Sequence, residues 1–426
     1  MDPRNNSILR SPVNILKILV IAERMPSPLG GGSSRQFNLI RCLADRHSFT
    51  VVAHAFPEDL RYRDQITEIV DRLELIKLDT PQELPQKSQL YWWFNAWRHT
   101  LLEKRPRRGR IFQTNVIQKL IIELLDNDNY DLVQVHQAYM MVLLPKAPPP
   151  VVLDLHDFLS DYEQQLFKKS KKSTHRFQAW VEWQKMRQFE KSMIDRAQVC
   201  TIVSDDDKQK LLRSAPGSKT VLVTNGVDCS YFQPIEQNPK GVEANLVFCG
   251  SMNYPPNADG VIWFNNEIFP LIRAKAAMNG LVIRWIIVGW QPSPAVQALN
   301  QFPDIDVHGF VEDVRLSLAE AQVVIVPLRL GSGTRLKILE AWAMGKAVVS
   351  TSLGAKGLQA RHGENILLAD DPTEFSAAVL QLMTDPTLRN KLGRAARFTV
   401  ENQYSWGTIS QQMQKAYELA KSRPES

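Results

Sequence analysis

Residues 327–345 read Pro327-Leu-Arg-Leu-Gly-Ser-Gly-Thr-Arg-Leu-Lys-Ile-Leu-Glu-Ala-Trp-Ala-Met-Gly345. They follow the β-branched run Val323–Val326, pass through a glycine-rich turn and enter a short helix that Gly345 is placed to end. A buried strand, a glycine turn and a helix in that order form one unit of a parallel α/β sheet. Exposed backbone N–H groups and the positive end of the helix dipole make such a turn a cradle for phosphate. Arg335 and Lys337 add positive charge beside it. At spacing i, i+2 they cannot share a helix face, so one of them sits in the turn or reaches sideways. Glu340 lies further into the helix, where a carboxylate can accept two hydrogen bonds from a ribose diol. On these residues alone, an ordinary strand–helix turn with solvated charges remains open, because glycine turns are common.

The same alternation extends in both directions. Upstream, apolar β-branched runs predict strands at Ile15–Ala22, Phe49–Ala55, Leu73–Leu78, Leu132–Val135, Val151–Leu155 and Val199–Val203. Helical spacing appears at Gln36–Leu43, Val116–Leu125 and Arg176–Ile194. Near Asn225–Lys240 the chain turns polar and proline-bearing, which marks a linker. A second series follows, with strands at Leu246–Cys249, Ile283–Val288, Asp306–His308, Val323–Val326, Ala347–Ser350 and Ile366–Leu368. Helices are expected at Gly260–Arg273, Arg335–Met344 and Phe375–Met383. The expected fold is α/β: a polar tail (1–12), two Rossmann-like doubly wound domains (13–228 and 229–403) facing across a cleft, and a C-terminal helix (404–426) packing back on the first. Ligands of such sheets bind beyond the carboxyl ends of the strands.

Bulk properties narrow the class. A chain of 426 residues exceeds one ordinary core, and its 44% hydrophobic and 23% charged content is that of a globular protein. Cys42, Cys200, Cys229 and Cys249 are scattered without a C-x-x-C pair, so no disulfide or metal framework is expected. Residues 1–12 lack the apolar core of a signal peptide, and no apolar run reaches the roughly 20 residues of a membrane helix. A cytoplasmic protein is expected. The net charge of +6 points to an anionic partner. Arg98, Lys104, Arg105, Arg107, Arg108 and Arg110 follow Tyr91, Trp92, Trp93, Phe94 and Trp97. Aromatics beside cations suit the headgroup layer of an anionic membrane, so residues 91–110 are a candidate for peripheral contact at the inner face of the plasma membrane. A solvated basic loop beside a packed aromatic helix is the alternative, and no nucleic-acid-binding motif is present.

The segment Gly333-Thr-Arg-Leu-Lys-Ile-Leu-Glu-Ala-Trp-Ala-Met-Gly-Lys-Ala-Val-Val-Ser-Thr351 resembles the donor-site signature of retaining glycosyltransferases of family 4, which have the GT-B fold. Gly250-Ser-Met-Asn-Tyr-Pro-Pro-Asn257, Val307-His-Gly-Phe-Val-Glu-Asp313, Thr224-Asn-Gly-Val-Asp228, Gly363-Glu-Asn-Ile-Leu-Leu368 and Tyr404-Ser-Trp406 match in the expected order. Bacterial members that make exopolysaccharide or modify lipid-linked sugars are the most similar in character. The resemblance implies donor contacts at Gly250, Ser251, Ser332, Gly333, Thr334, Arg335, Lys337 and Glu340. Glu340 falls on the second glutamate of the family's Glu-x7-Glu motif, and Ser332 stands where the first is usual. A second departure follows Gly250, where many members place an Arg and a Lys for the diphosphate. Arg335 and Lys337 are the candidates to replace them, because charge growing on a departing diphosphate requires cations. No metal and no cofactor beyond the nucleotide-sugar donor are implied.

In the first domain, Met25-Pro-Ser-Pro-Leu-Gly-Gly-Gly-Ser-Ser-Arg35 follows the opening strand. Gly30, Gly31 and Gly32 permit close backbone approach, and the matching family loop faces the reaction centre. His156 closes the strand Val151–Leu155 where the family carries a histidine near the donor sugar. Asp157 either orients its imidazole or caps the next helix, and His136 is a second candidate. The expected activity is transfer of a sugar from a nucleoside diphosphate to a glycan or lipid-linked hydroxyl. A GT-B-fold nucleotide-sugar epimerase or hydrolase, and a non-catalytic GT-B scaffold, are the alternatives.

Overall fold

The structure, a computed structural model, describes residues 15–28, 31–77, 100, 103, 105–107, 110–170, 172–235, 243–331 and 335–422. The chain divides into two compact units. One runs up to Val223 and includes the chain from Ser410 onward; the other is Thr224–Ile409.

The first unit is built on a seven-stranded, all-parallel sheet: β1 (Lys17–Ile21), β2 (Ser48–Ala55), β3 (Arg72–Lys77), β4 (Leu132–His136), β5 (Val151–Leu155), β6 (Val199–Ile202) and β7 (Thr220–Leu222). Their spatial order is β3-β2-β1-β4-β5-β6-β7. Leu19 and Ile21 of β1 join Val133 and Val135 in one apolar cluster, while Ile18 and Val20 are buried as well. Both faces of the strand are therefore covered, which is why its sequence shows no alternation. β7, with only three part-buried residues at the sheet edge, has too little apolar pattern to announce itself.

The second unit carries six parallel strands: β8 (Glu243–Cys249), β9 (Val282–Val288), β10 (Ile305–His308), β11 (Val323–Val326), β12 (Val348–Ser350) and β13 (Leu367–Leu368). They are ordered β10-β9-β8-β11-β12-β13. Trp285 of β9 sits in an aromatic cluster with Phe264 and Phe269. The single helix expected at Gly260–Arg273 is three pieces: Pro255–Trp263, a π-helical turn Phe264–Ile268, and Phe269–Met278. Pro270 has no N–H to donate and its ring crowds the preceding turn, so the ladder widens there.

In each sheet the strand order reverses between the first strand and its neighbour, β1 with β4 and β8 with β11. Loops leaving these paired carboxyl ends part to either side, and the crevice between them is where doubly wound sheets bind ligands.

Candidate functional site

In the second unit, the crevice between β8 and β11 is bounded by the Gly250 turn and the glycine turn after Val326. The backbone at Gly250 is tied to β9 by its N–H to Val288 O at 2.9 Å. Asn257, buried at the start of helix Pro255–Trp263, donates from Nδ2 to Ser251 O at 2.7 Å. Its Oδ1 accepts from Lys337 Nζ at 2.7 Å. One amide thus clamps the Gly250–Ser251 turn to the lysine ammonium. A Cβ at position 250 would lie 2.5 Å from Lys337 Nζ and 2.8 Å from Asn257 Nδ2, so only glycine lets the main chain lie against these groups. The ammonium also stands 4.2 Å from the Phe248 ring centroid, a cation–π contact.

Arg335 and Lys337 divide their positions as the spacing requires. Arg335 is the N-cap of helix Leu336–Ala343, outside its regular turns, and Lys337 lies in the first turn. Arg335 is only 6% exposed. Its two terminal nitrogens come within 3.2 Å of where a Cβ on Gly331 would stand. Gly331 has φ +107°, a conformation that side-chain-bearing residues rarely adopt. The turn is anchored from β12: Thr351 Oγ1 donates to Leu328 O at 2.5 Å and Ser350 Oγ to Val326 O at 3.2 Å. Ser332, Gly333 and Thr334 lie outside the described residues, as does Gly30 in the first unit.

Burial dominates the charges here. It lowers Lys337 to about 7, helped by Arg335 and opposed by Cys249 and Glu340. It raises Glu340 to about 7, opposed by Lys337, and pushes the Cys249 thiol to about 12. Charged groups held this far from their ordinary values in a crevice suit an ionic, hydrogen-bonding ligand.

In the first unit, β1 and β4 end beside a buried ionic network centred on Asp154, which lies within β5 and is fully buried. Arg35 Nε and Nη2 donate to its two oxygens at 3.0 and 2.9 Å. His136 Nδ1 lies 3.2 Å and His156 Nε2 3.1 Å from Oδ2, and the two rings are 3.3 Å apart at those nitrogens. Thr201 Oγ1 donates to Oδ1. Burial opposes ionisation of Asp154, but Arg35 and the two histidines overcome it and hold the carboxyl well below its usual range. Burial likewise lowers His136 to about 4, against the pull of Asp154. Gly31 and Gly32, expected in a loop, instead open the helix Gly31–Leu43; a Cβ at Gly32 would lie 3.2 Å from His156 Nδ1, so this helix start and the ring are neighbours.

Asp154 is the carboxylate that holds His156 at 3.1 Å. The first amides of helix Leu159–Lys169, which Asp157 was a candidate to cap, are taken by Glu190: Leu159 N at 2.7 Å and Ser160 N at 3.3 Å. His136, Asp154 and His156 offer three atoms within 4.8 Å of one another, a donor set that could hold a metal ion. The buried Arg35 guanidinium, bound to both oxygens of Asp154, already supplies the compensating positive charge and repels a second cation. The network reads better as a hydrogen-bonded support for His156.

A profile described as "Glycosyltransferase Family 4" matches residues 29–231, and one described as "Glycosyl transferases group 1" matches residues 243–385. The chain belongs to the group 1/family 4 glycosyltransferases. Over 151 residues it is 34% identical to the lipopolysaccharide core biosynthesis glycosyltransferase LpsE of Rhizobium meliloti (strain 1021), covering 33% of this chain and 42% of LpsE. The chain spans about half or less of the length of the curated relatives it matches. Its structure is similar to sucrose-phosphate synthase from Thermosynechococcus elongatus, with TM-score 0.64, 16% identity, and 95% and 98% of the two chains covered. It is also similar to HepE of Anabaena, solved in complex with UDP and glucose, with TM-score 0.63, 16% identity, and 95% and 99% covered. At these identities the likeness speaks to the fold, which is GT-B.

Within this family member the structure brings Gly250, Ser251, Arg335 and Lys337 to one crevice, with Glu340 on the same helix, and sets Gly32 against His156. Sequence reasoning missed Asn257, Arg35 and Asp154. Asp154 carried a signal: a carboxylate inside the apolar run Val151–Leu155 must have a buried cationic partner.

Proposed function

We propose that the protein transfers a sugar from a nucleoside diphosphate donor to a hydroxyl of a glycan or glycolipid, with retention at the anomeric carbon. The observation that carries this reading is the cluster at the β8–β11 crevice, where Lys337 and Asn257 close on the Gly250 turn and Arg335 stands at the start of the helix that carries Lys337. The amides of that helix start and the two cations receive the diphosphate, and Glu340 accepts from the ribose diol. LpsE, a named lipopolysaccharide core glycosyltransferase, and HepE, solved with UDP and glucose, support the substrate class.

In the reaction the bond from the anomeric carbon to the diphosphate oxygen breaks as the acceptor oxygen bonds to that carbon. The acceptor's proton passes to the departing phosphate. Charge growing on the diphosphate is stabilised by Arg335 and Lys337, which are preorganised by burial and by Asn257. His156, held by Asp154, presents Nδ1 to Gly32 at the start of helix Gly31–Leu43 and is assigned to the reacting sugar. No cofactor beyond the donor enters this reading.

Incubation with nucleotide sugars and candidate glycolipid acceptors, followed by product analysis, tests it. A glycosylated product with retained configuration is expected. Isomerised or merely hydrolysed sugar would favour the epimerase or hydrolase reading, and binding without turnover a scaffold.

The aromatic–basic segment 91–110 is proposed to touch anionic membrane. Most of it lies outside the described residues. Exposed Phe177 and Trp180, on helix Ser173–Ile194, add aromatic surface in the same unit. No described helix is long and apolar enough to cross a membrane. Neutralising Arg105, Arg107 and Arg108 should reduce sedimentation with anionic vesicles; unchanged sedimentation would end that proposal.

A further inference from the structure

The last helix, Trp406–Lys421, belongs with the first unit from Ser410 onward. It is fastened there by His47 Nε2 to Gln414 Oε1 at 2.5 Å and by Lys421 Nζ to Asp131 at 2.8 Å. Between these ties Tyr417 is buried, and its hydroxyl donates to Gln134 Oε1. Gln134 sits on β4, two residues before His136, and its Nε2 lies 2.9 Å from His136 Nε2.

The direction of each bond in this chain follows from its inner end. His136 Nδ1 faces the Asp154 carboxylate, which can only accept, so Nδ1 carries a proton. Burial keeps the ring neutral, so Nε2 has none and must accept. Gln134 therefore presents its amide N–H groups to His136, and its oxygen is left for Tyr417. Reversing the amide would place an acceptor against Nε2, draw the proton there and turn a bare Nδ1 lone pair on Asp154 Oδ2. His136 Nδ1 would then compete for the N–H of His156, 3.3 Å away. With the amide as it stands, that N–H goes to Asp154, and Nδ1 of His156 is left facing Gly32 at the start of helix Gly31–Leu43.

We propose that Tyr417 and Gln134 are positioning residues of the transferase: together they fix the tautomer of His136, and through Asp154 they fix which nitrogen of His156 faces the helix start at Gly32. The inference rests on the assignment of His156 to the reacting sugar, but its first test needs no activity. In the full chain labelled with 15N-histidine, with signals assigned through His136→Asn and His156→Asn, His136 should appear as the Nδ1–H form and His156 with its proton on Nε2. Gln134→Glu, nearly isosteric but acceptor-only, should move the His136 proton to Nε2 and alter the His156 signals. Tyr417→Phe, which keeps the ring packed against His47, should broaden or shift both. A wild-type His136 protonated on Nε2, or variants that leave both rings unchanged, would overturn the proposal. Where sugar transfer is measured, Gln134→Glu should lower kcat about tenfold or more, with the donor KM within about twofold, because the donor crevice is in the other unit. The tautomers as described without that loss of kcat would retain the network and remove His156 from the reaction. A melting temperature close to wild type is expected for Tyr417→Phe, and a large drop confined to that variant leaves Gln134→Glu as the deciding case.

Discussion

Lys337 and Glu340 stand three residues apart on one short helix, each drawn to about 7 by burial. For a donor whose diphosphate meets the lysine and whose ribose meets the glutamate, the two act in opposite senses. The ammonium attracts the donor below about pH 7 and is lost as pH rises; the carboxylate accepts the ribose hydroxyls above about pH 7 and is lost as pH falls. Donor affinity, read by calorimetry with an intact nucleotide sugar, should therefore peak near neutrality. Lys337→Met should flatten the alkaline limb and Glu340→Gln the acid limb. A flat profile in the wild type would contradict the assignment of both groups. At neutral pH, Glu340→Ala should weaken donor binding by about 1.5–3 kcal/mol, the worth of hydrogen bonds to a charged acceptor, or roughly ten- to a hundredfold. Arg335→Ala should instead show chiefly as lost turnover, since its charge matters most as the leaving group develops.

Among the elements, helix Leu336–Ala343 keeps its place through a close contact at its end. Gly345 leaves the helix with φ +67°, and a Cβ on Gly393, in helix Pro386–Gln403, would come within 2.2 Å of Gly345 O. The two backbones touch, so Gly393→Ala should force them apart and cost about 1–3 kcal/mol, seen as a lower melting temperature with weakened donor affinity. A melting curve matching wild type would show that the contact yields. The strand–turn–helix order around Val323–Gly345 could be read from sequence because burial on both faces leaves β11 uniformly apolar and Gly345 marks the helix end. Helix Pro386–Gln403 could not: its stripe of Leu392, Ala396 and Val400 is narrow and set among charged residues. The π turn at Phe264–Ile268 was equally hidden, since periodicity reports a helix but not the widening that Pro270 imposes.

For the whole molecule, two all-parallel sheets each change direction beside their first strand, and each gathers a cluster of buried charged groups near that reversal. The second unit's candidate residues could be singled out because most of them lie close together in sequence and resemble a family signature; the structure brings Gly250, Arg335 and Lys337 of that set to one crevice. The first unit's network could not be, because Arg35, Gln134, Asp154 and Tyr417 come from four separate elements and meet only through the fold. A nucleotide that binds the native second unit should raise its melting temperature, by about 2.7 kcal/mol of stabilisation at a hundred times its Kd. A screen across nucleoside diphosphate sugars would rank donors on that scale, and no shift with any of them would argue against a donor site. The most direct measurement is a crystal structure with a nucleoside diphosphate bound. The account predicts the diphosphate against Lys337, Arg335 and the helix start at Leu336, with the ribose on Glu340. A nucleotide bound elsewhere, with these side chains still occupied by one another, would contradict it.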